Sequence, residues 1–233
     1  MGRSGTTIVM EMLASSGVYL DEVNWAQEHE DARAIDDAYL EHTYGARPGR
    51  PYGRLPREEI AMVPPDWHDR VGMFVAGMDE RAAGRPWAVK DPRMTLLHDL
   101  WLPRLDVVIG VFRRPDDVVD SYLRQGWISG ARKRRVVLGY WERFNQSLLH
   151  VLDTPSGLRR YLVEASPDLA VQLGAVLADL GLALSDQASQ DFDGSRQSTA
   201  DPAEIHRAHR PTFEQLIAHR SVRRGASHLA AAG

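Results

Sequence analysis

The chain contains no cysteine. A disulfide framework, a thiolate metal site and a cysteine nucleophile are therefore excluded, and the composition fits a reducing compartment such as the cytoplasm. Lysine is scarce, at Lys90 and Lys133 alone, while arginine is abundant, a bias that codon usage accounts for without a mechanism. No stretch approaches the ~20 apolar residues of a membrane span. The opening Met1-Gly2-Arg3-Ser4-Gly5-Thr6-Thr7 lacks the charged-then-apolar pattern of a secretory leader, so a cytoplasmic protein without a membrane span is expected. A positive excess is missing too: the formal net charge is −4, which predicts no general affinity for nucleic acid.

What is present is ordinary for a folded protein: 233 residues, 43% hydrophobic and 26% charged, enough for one sizeable domain. We expect that domain over 1–220 and a flexible tail over 221–233. Apolar spacing predicts helices over 6–16, from Asp31, over Pro65 to Gly84, 116–125, 134–153, from Ser166-Pro167-Asp168 to Leu180, and over 211–219. Short strands are expected at 18–20, 87–90 and 160–163. The unbroken run Asp106 to Phe112 reads as a parallel strand covered on both faces. Strand and helix alternate, so the expected architecture is α/β, a parallel sheet with helices on both faces in three layers.

Two segments carry chemistry. Gly2-Arg3-Ser4-Gly5-Thr6-Thr7 heads a helix, where glycines permit a tight turn and backbone N–H groups converge on an anion. Arg3 adds a fork of donors, and Ser4, Thr6 and Thr7 add hydroxyls. The G-x-x-x-x-G-K-[ST] of phosphate-loop kinases and NTPases, with its lysine, is not there. The second segment, Arg113-Arg114-Pro115 through Ser121, leaves the buried strand and enters a helix. This puts Arg113 at the carboxyl edge of the sheet, where open α/β folds bind ligands.

Taken together, the loop, the strand-terminating R-x-P and the serine eight residues beyond Arg113 resemble the two signatures of sulfotransferases that use 3′-phosphoadenosine-5′-phosphosulfate (PAPS). Trp87-Ala88-Val89-Lys90-Asp91-Pro92-Arg93 is similar to a K-D-P-R segment of a bacterial branch related to the carbohydrate and tyrosylprotein enzymes. The resemblance covers Gly2 to about Leu182. It implies a P-loop-type fold in which Gly2 to Thr7 bind the 5′-phosphosulfate, Arg113 and Ser121 bind the 3′-phosphate, and no metal is needed. The family places a buried apolar strand directly before the loop, and here Met1 directly precedes Gly2, so the resemblance implies either a recorded start that falls too late or a sheet lacking that strand. The cytosolic branch has its histidine base two residues after the lysine matching Lys90, but position 92 is proline.

The base is therefore sought elsewhere. The carbohydrate-type and tyrosylprotein branches place a glutamate where this chain has Glu28; His29 and Asp91 are the alternatives. The competing readings are a surface glutamate, a solvated histidine and an Asp91–Arg93 ion pair. Lys90 and Arg3 would neutralise charge on donor oxygens, Arg93 and His29 would touch the acceptor, and Arg196 would close over the nucleotide from a late loop. His206, His209 and His219 form no convincing metal-ligand pattern. The expected acceptor is a small-molecule, lipid or carbohydrate hydroxyl or amine. The rivals are a nucleotide kinase or NTPase and an inactive nucleotide-binding relative.

Overall fold

The computed structural model describes residues 4–24, 26–45, 63–126, 129–154, 157–187 and 208–220. Its regular elements in chain order are helices α1 (Thr6–Ser15), α2 (Glu30–Tyr44), α3 (Pro65–Ala82) and α4 (His98–Trp101), strand β1 (Val107–Phe112), helices α5 (Pro115–Arg124) and α6 (Gly130–Asp153), strand β2 (Arg159–Glu164), and helices α7 (Leu169–Asp179) and α8 (Arg210–His219). Among the described residues the one sheet is the parallel pair β1–β2, in register from Val107 opposite Arg159 to Phe112 opposite Glu164.

Side chains alternate across that pair. Phe112 and Leu162 bury themselves with Val118, Trp141, Leu148 and Phe213 from α5, α6 and α8. Val163, with Ile109 and Val111, packs against Val9, Leu13 and Leu173 from α1 and α7. Each such buried side chain is worth about 1.5–3 kcal/mol. Gly110 admits this packing on the α6 side: a Cβ there would lie 2.8 Å from Leu148 Cδ1 and 3.0 Å from Leu162 Cδ1. A third core joins α2, α3 and α4 through Tyr39, Trp67, Val71, Phe74, Met78 and Trp101. On α3 the buried positions Trp67, Val71, Phe74 and Met78 step by four, three and four residues, the spacing of one helical face.

Several boundaries differ from the sequence expectation. Helix α2 opens at Glu30 because His29, not Asp31, takes the cap position and accepts the Asp31 N–H on its ring nitrogen. Helix α3 ends at Ala82, with Ala83 in the left-handed conformation at φ 52° ahead of Gly84. Segments 18–20 and 87–90 are not strands but meet in a single parallel bridge, Tyr19 to Trp87. The flanking Tyr19 N–H donates to Pro86 O at 2.8 Å, and Ala88 N–H donates to Tyr19 O at 3.0 Å. Proline at 86 has no N–H to extend that ladder. The tail over 221–233 lies outside the described residues.

Candidate functional site

Gly5 caps α1 at φ 94°, where a side chain is strained, and a Cβ on it would lie 2.5 Å from Ala165 Cβ and 3.9 Å from Val111 Cγ1. Glycine is thus what lets the loop lie flat against the carboxyl ends of β1 and β2. The first closing bond of α1 runs from Val9 N–H to Gly5 O at 3.3 Å, and Gly5 at the cap position has no side chain to cap the helix. Its first-turn N–H groups have no intrahelical acceptor, and the helix dipole adds positive potential, so this end suits an anion. Ser4 beside it is buried.

Three further residues meet next to this helix end. Thr7 Oγ1 donates to Ala26 O at 3.2 Å, and Lys90 Nζ donates to the same carbonyl. Lys90 Nζ also stands 3.5 Å from Glu28 Oε1. Burial lowers the Lys90 pKa, and the Glu28 carboxylate opposes that shift. The loop holding Ala26 and Glu28 is braced by Asn24, whose Oδ1 accepts the Ala26 and Glu28 N–H groups at 2.8 and 3.1 Å. Gln27 sits at φ 58° in the same turn. Sequence reasoning missed Asn24; the signal was an asparagine two residues before a turn, where its amide oxygen mimics a backbone acceptor.

Arg113 follows β1 directly and is buried, its Nε 3.9 Å from Asp117 Oδ2 and its carbonyl accepting Trp141 Nε1–H at 2.7 Å. Ser121 lies fully buried on α5. Proline at N1 and Asp116 and Asp117 in the first turn start that helix immediately after the arginines. At the end of β2, Gln172 clamps the Glu164 backbone N–H and C=O at 2.9 and 3.2 Å, and Arg220 Nη1 meets Glu164 Oε2 at 2.6 Å. Burial raises the Glu164 pKa, against the pull of Arg220 and Arg114.

Other expected site residues are engaged elsewhere. The Asp91 side chain is 1% exposed and accepts both the backbone N–H and the Nε–H of Arg93 at 2.8 Å. Arg93 turns on to Asp37 and to Arg33 O in α2. This is the ion-pair reading of the two. His29 is likewise occupied: Nε2 pairs with Asp21 Oδ2 at 3.2 Å, Nδ1 caps α2, and the ring stands edge-on to Phe74. Asp21 was not singled out from the sequence, yet it also accepts Tyr19 Oη–H at 2.7 Å and Arg81 Nε–H at 2.6 Å. Burial pushes its pKa up, but the bonds from Tyr19, His29 and Arg81 together hold it down to about 2.

The structure therefore brings Thr7, Glu28 and Lys90 together at the start of α1 and sets Arg113 and Ser121 on the β1–α5 unit, while Asp91, Arg93 and His29 face α2 and α3. Gly2, Arg3 and Arg196 lie outside the described residues. Among the described residues no group of three or more His, Asp or Glu side chains is gathered for a metal, and no helix is long and apolar enough to cross a membrane. The arrangement offers a carboxylate that can take a proton, an ammonium that can neutralise an oxygen, and a helix end that can hold an anion. No family model matches the chain, and no curated protein or solved structure matches it.

Proposed function

We propose that the chain is a sulfotransferase of three-layer, P-loop-type α/β fold, moving a sulfuryl group from PAPS to a hydroxyl or amine of a small-molecule, lipid or carbohydrate acceptor in the cytoplasm. The observation that carries this reading is the amino end of α1, started by Gly5, beside the Glu28–Lys90 pair, at the sheet edge where β1 delivers Arg113. The α1 end would hold the 5′-phosphosulfate, and Arg113 and Ser121 the 3′-phosphate.

The transfer is an in-line displacement. Glu28 takes the proton of the acceptor as its oxygen or nitrogen bonds to sulfur. The bond from sulfur to the bridging oxygen breaks, and its electron pair leaves with adenosine 3′,5′-bisphosphate. Lys90 and the helix N–H groups stabilise the charge that develops on the bridging and equatorial oxygens. Most of the rate comes from alignment and electrostatics rather than from covalent help. Lysine and arginine supply the countercharge, so the proposal includes no metal.

A sulfate-transfer screen across phenol, sugar, lipid and peptide acceptors tests it, with the wild-type chain and Glu28→Gln. Wild type transfers sulfate in the presence of EDTA, and Glu28→Gln binds the nucleotide normally but turns over about 10²–10⁴-fold more slowly. Normal turnover by Glu28→Gln removes Glu28 as the base. Magnesium-dependent ATP turnover instead supports a kinase or NTPase, and nucleotide binding with no transfer to any acceptor supports an inactive relative.

A further inference from the structure

Glu28 and Lys90 meet although neither lies in a helix or strand. Each stands just outside a folded element. Glu28 precedes His29, the cap of α2, and Lys90 precedes Asp91, which caps the short helical turn Pro92–Thr95 by accepting the Arg93 N–H.

One guanidinium joins those two elements. Arg93 Nε donates to Asp91 Oδ1 at 2.8 Å and Nη2 donates to Asp91 Oδ2, while Nη1 reaches Asp37 Oδ1 and Nη2 also reaches Arg33 O at 3.3 Å. Arg33 and Asp37 are one turn apart on α2, with Arg33 Nε 3.9 Å from Asp37 Oδ2. The end of the Pro92–Thr95 turn is anchored separately, since Thr95 O accepts Ser147 Oγ–H of α6 at 2.6 Å. Arg93 therefore ties the opening turns of α2 to a segment that is itself fixed on α6.

Stability alone does not account for this cluster. The side chains of Arg93 and Asp91 are 6% and 1% exposed, and the attraction within a buried ion pair does little more than offset its desolvation. A third carboxyl, Asp36, is buried beside them and feels both Asp91 and Arg93. Apolar side chains would pack α2 on this turn without gathering three carboxyls round one cation. What the planar fork of arginine supplies is fixed distances and angles to two elements at once.

We propose that Arg93 and Asp37 are positioning residues: their contact holds the amino end of α2 against the Lys90–Asp91 segment and thereby sets the 3.5 Å separation of Glu28 Oε1 and Lys90 Nζ. In this role neither touches the reacting atoms. The reaction assigned to the pair rests on the sulfuryl-transfer reading; the clamp does not.

Lys90 and Lys133 are the only lysines in the chain, and Lys133 is exposed, so NMR of isotope-labelled lysine reads Lys90 with Lys133 as an internal reference. Wild type, Asp37→Asn, Glu28→Gln, the double variant and the conservative Asp37→Glu are titrated. Asp37 is replaced rather than the buried Arg93 because its side chain is 24% exposed, so that the fold survives. Glu28 and Asp91 support the Lys90 charge against burial, so Glu28→Gln lowers the Lys90 midpoint. Asp37→Asn lowers it as well, because Glu28 leaves its place. In the Glu28→Gln background Asp37→Asn adds nothing, and Asp37→Glu titrates like wild type. In sulfate transfer Asp37→Asn loses about 10²-fold in kcat, with KM for PAPS unchanged.

An unmoved Lys90 in Asp37→Asn overturns the proposal and leaves the Asn24 turn as a sufficient anchor for Glu28. An equal drop in both backgrounds overturns it too, since Asp37 then acts on Lys90 through its charge alone. So does a Lys90 that titrates together with Lys133 in Asp37→Asn, which marks loss of the fold rather than of a local clamp. If wild type transfers no sulfate, the proposed function fails, and the Lys90 titrations still decide the clamp.

Discussion

Asp36 shows how one side chain reports its surroundings. It is 0% exposed, its Oδ1 accepts Trp101 Nε1–H at 2.7 Å, and its Oδ2 has no hydrogen-bond partner among the described residues. Burial raises its pKa well above the ordinary carboxylate value, and neighbouring Asp91 pushes the same way, against the Trp101 bond and Arg93. The folded state thus keeps a proton that the unfolded chain loses near pH 4. Stability from this group is whole below about pH 4 and is lost as pH climbs towards the folded value. Replacing Asp36 by Asn removes the titration, so Tm of Asp36→Asn minus Tm of wild type grows between pH 4 and 8 in a thermal-melt series. A difference that stays flat contradicts a neutral Asp36. Lys90 follows the opposite logic: its charge is disfavoured by burial and supported by Glu28, so the pair keeps a poised ammonium beside the α1 end.

At the level of elements, Asp21 ties three of them. It bonds Tyr19 in the bridging segment, His29 at the cap of α2 and Arg81 in the last turn of α3. Its pKa is depressed to about 2, so its contribution is present above about pH 4 and is lost as pH falls towards 2. Asp21→Asn should melt several degrees lower than wild type at pH 6, and the two should converge near pH 2; a gap independent of pH would contradict the linkage. None of this was legible in the sequence, because the partners of Asp21 lie up to 60 residues away. The long helices were legible, because α3 and α6 each bury a face spaced at three and four residues. The segments around Tyr19 and Trp87 were not, because a strand exists only through its neighbours, and each of these has one bridge.

For the whole molecule, the legible part was the run Val107–Phe112 ending in Arg113 and the glycine loop opening α1. Both are local signals, a β-branched stretch stopped by charge and a turn that only glycine fits. The site's remaining half depends on distant chain: Glu28 and Lys90 are 62 positions apart, and the carbonyl that gathers Lys90 and Thr7 belongs to Ala26. Asp91 and His29, the alternatives to Glu28, and Arg93 are instead drawn by the packing of α2 and α3 into its own contacts.

If the α1 end and the β1–α5 unit grip opposite ends of one adenosine bisphosphate, binding must need Arg113 and no metal. Calorimetric titration of adenosine 3′,5′-bisphosphate in EDTA into wild type and Arg113→Ala measures this directly. Wild type binds, and the variant loses a charge-assisted hydrogen bond worth about 1.5–3 kcal/mol, a weakening of roughly 10- to 100-fold. No binding by wild type, or equal binding by a folded variant, contradicts it.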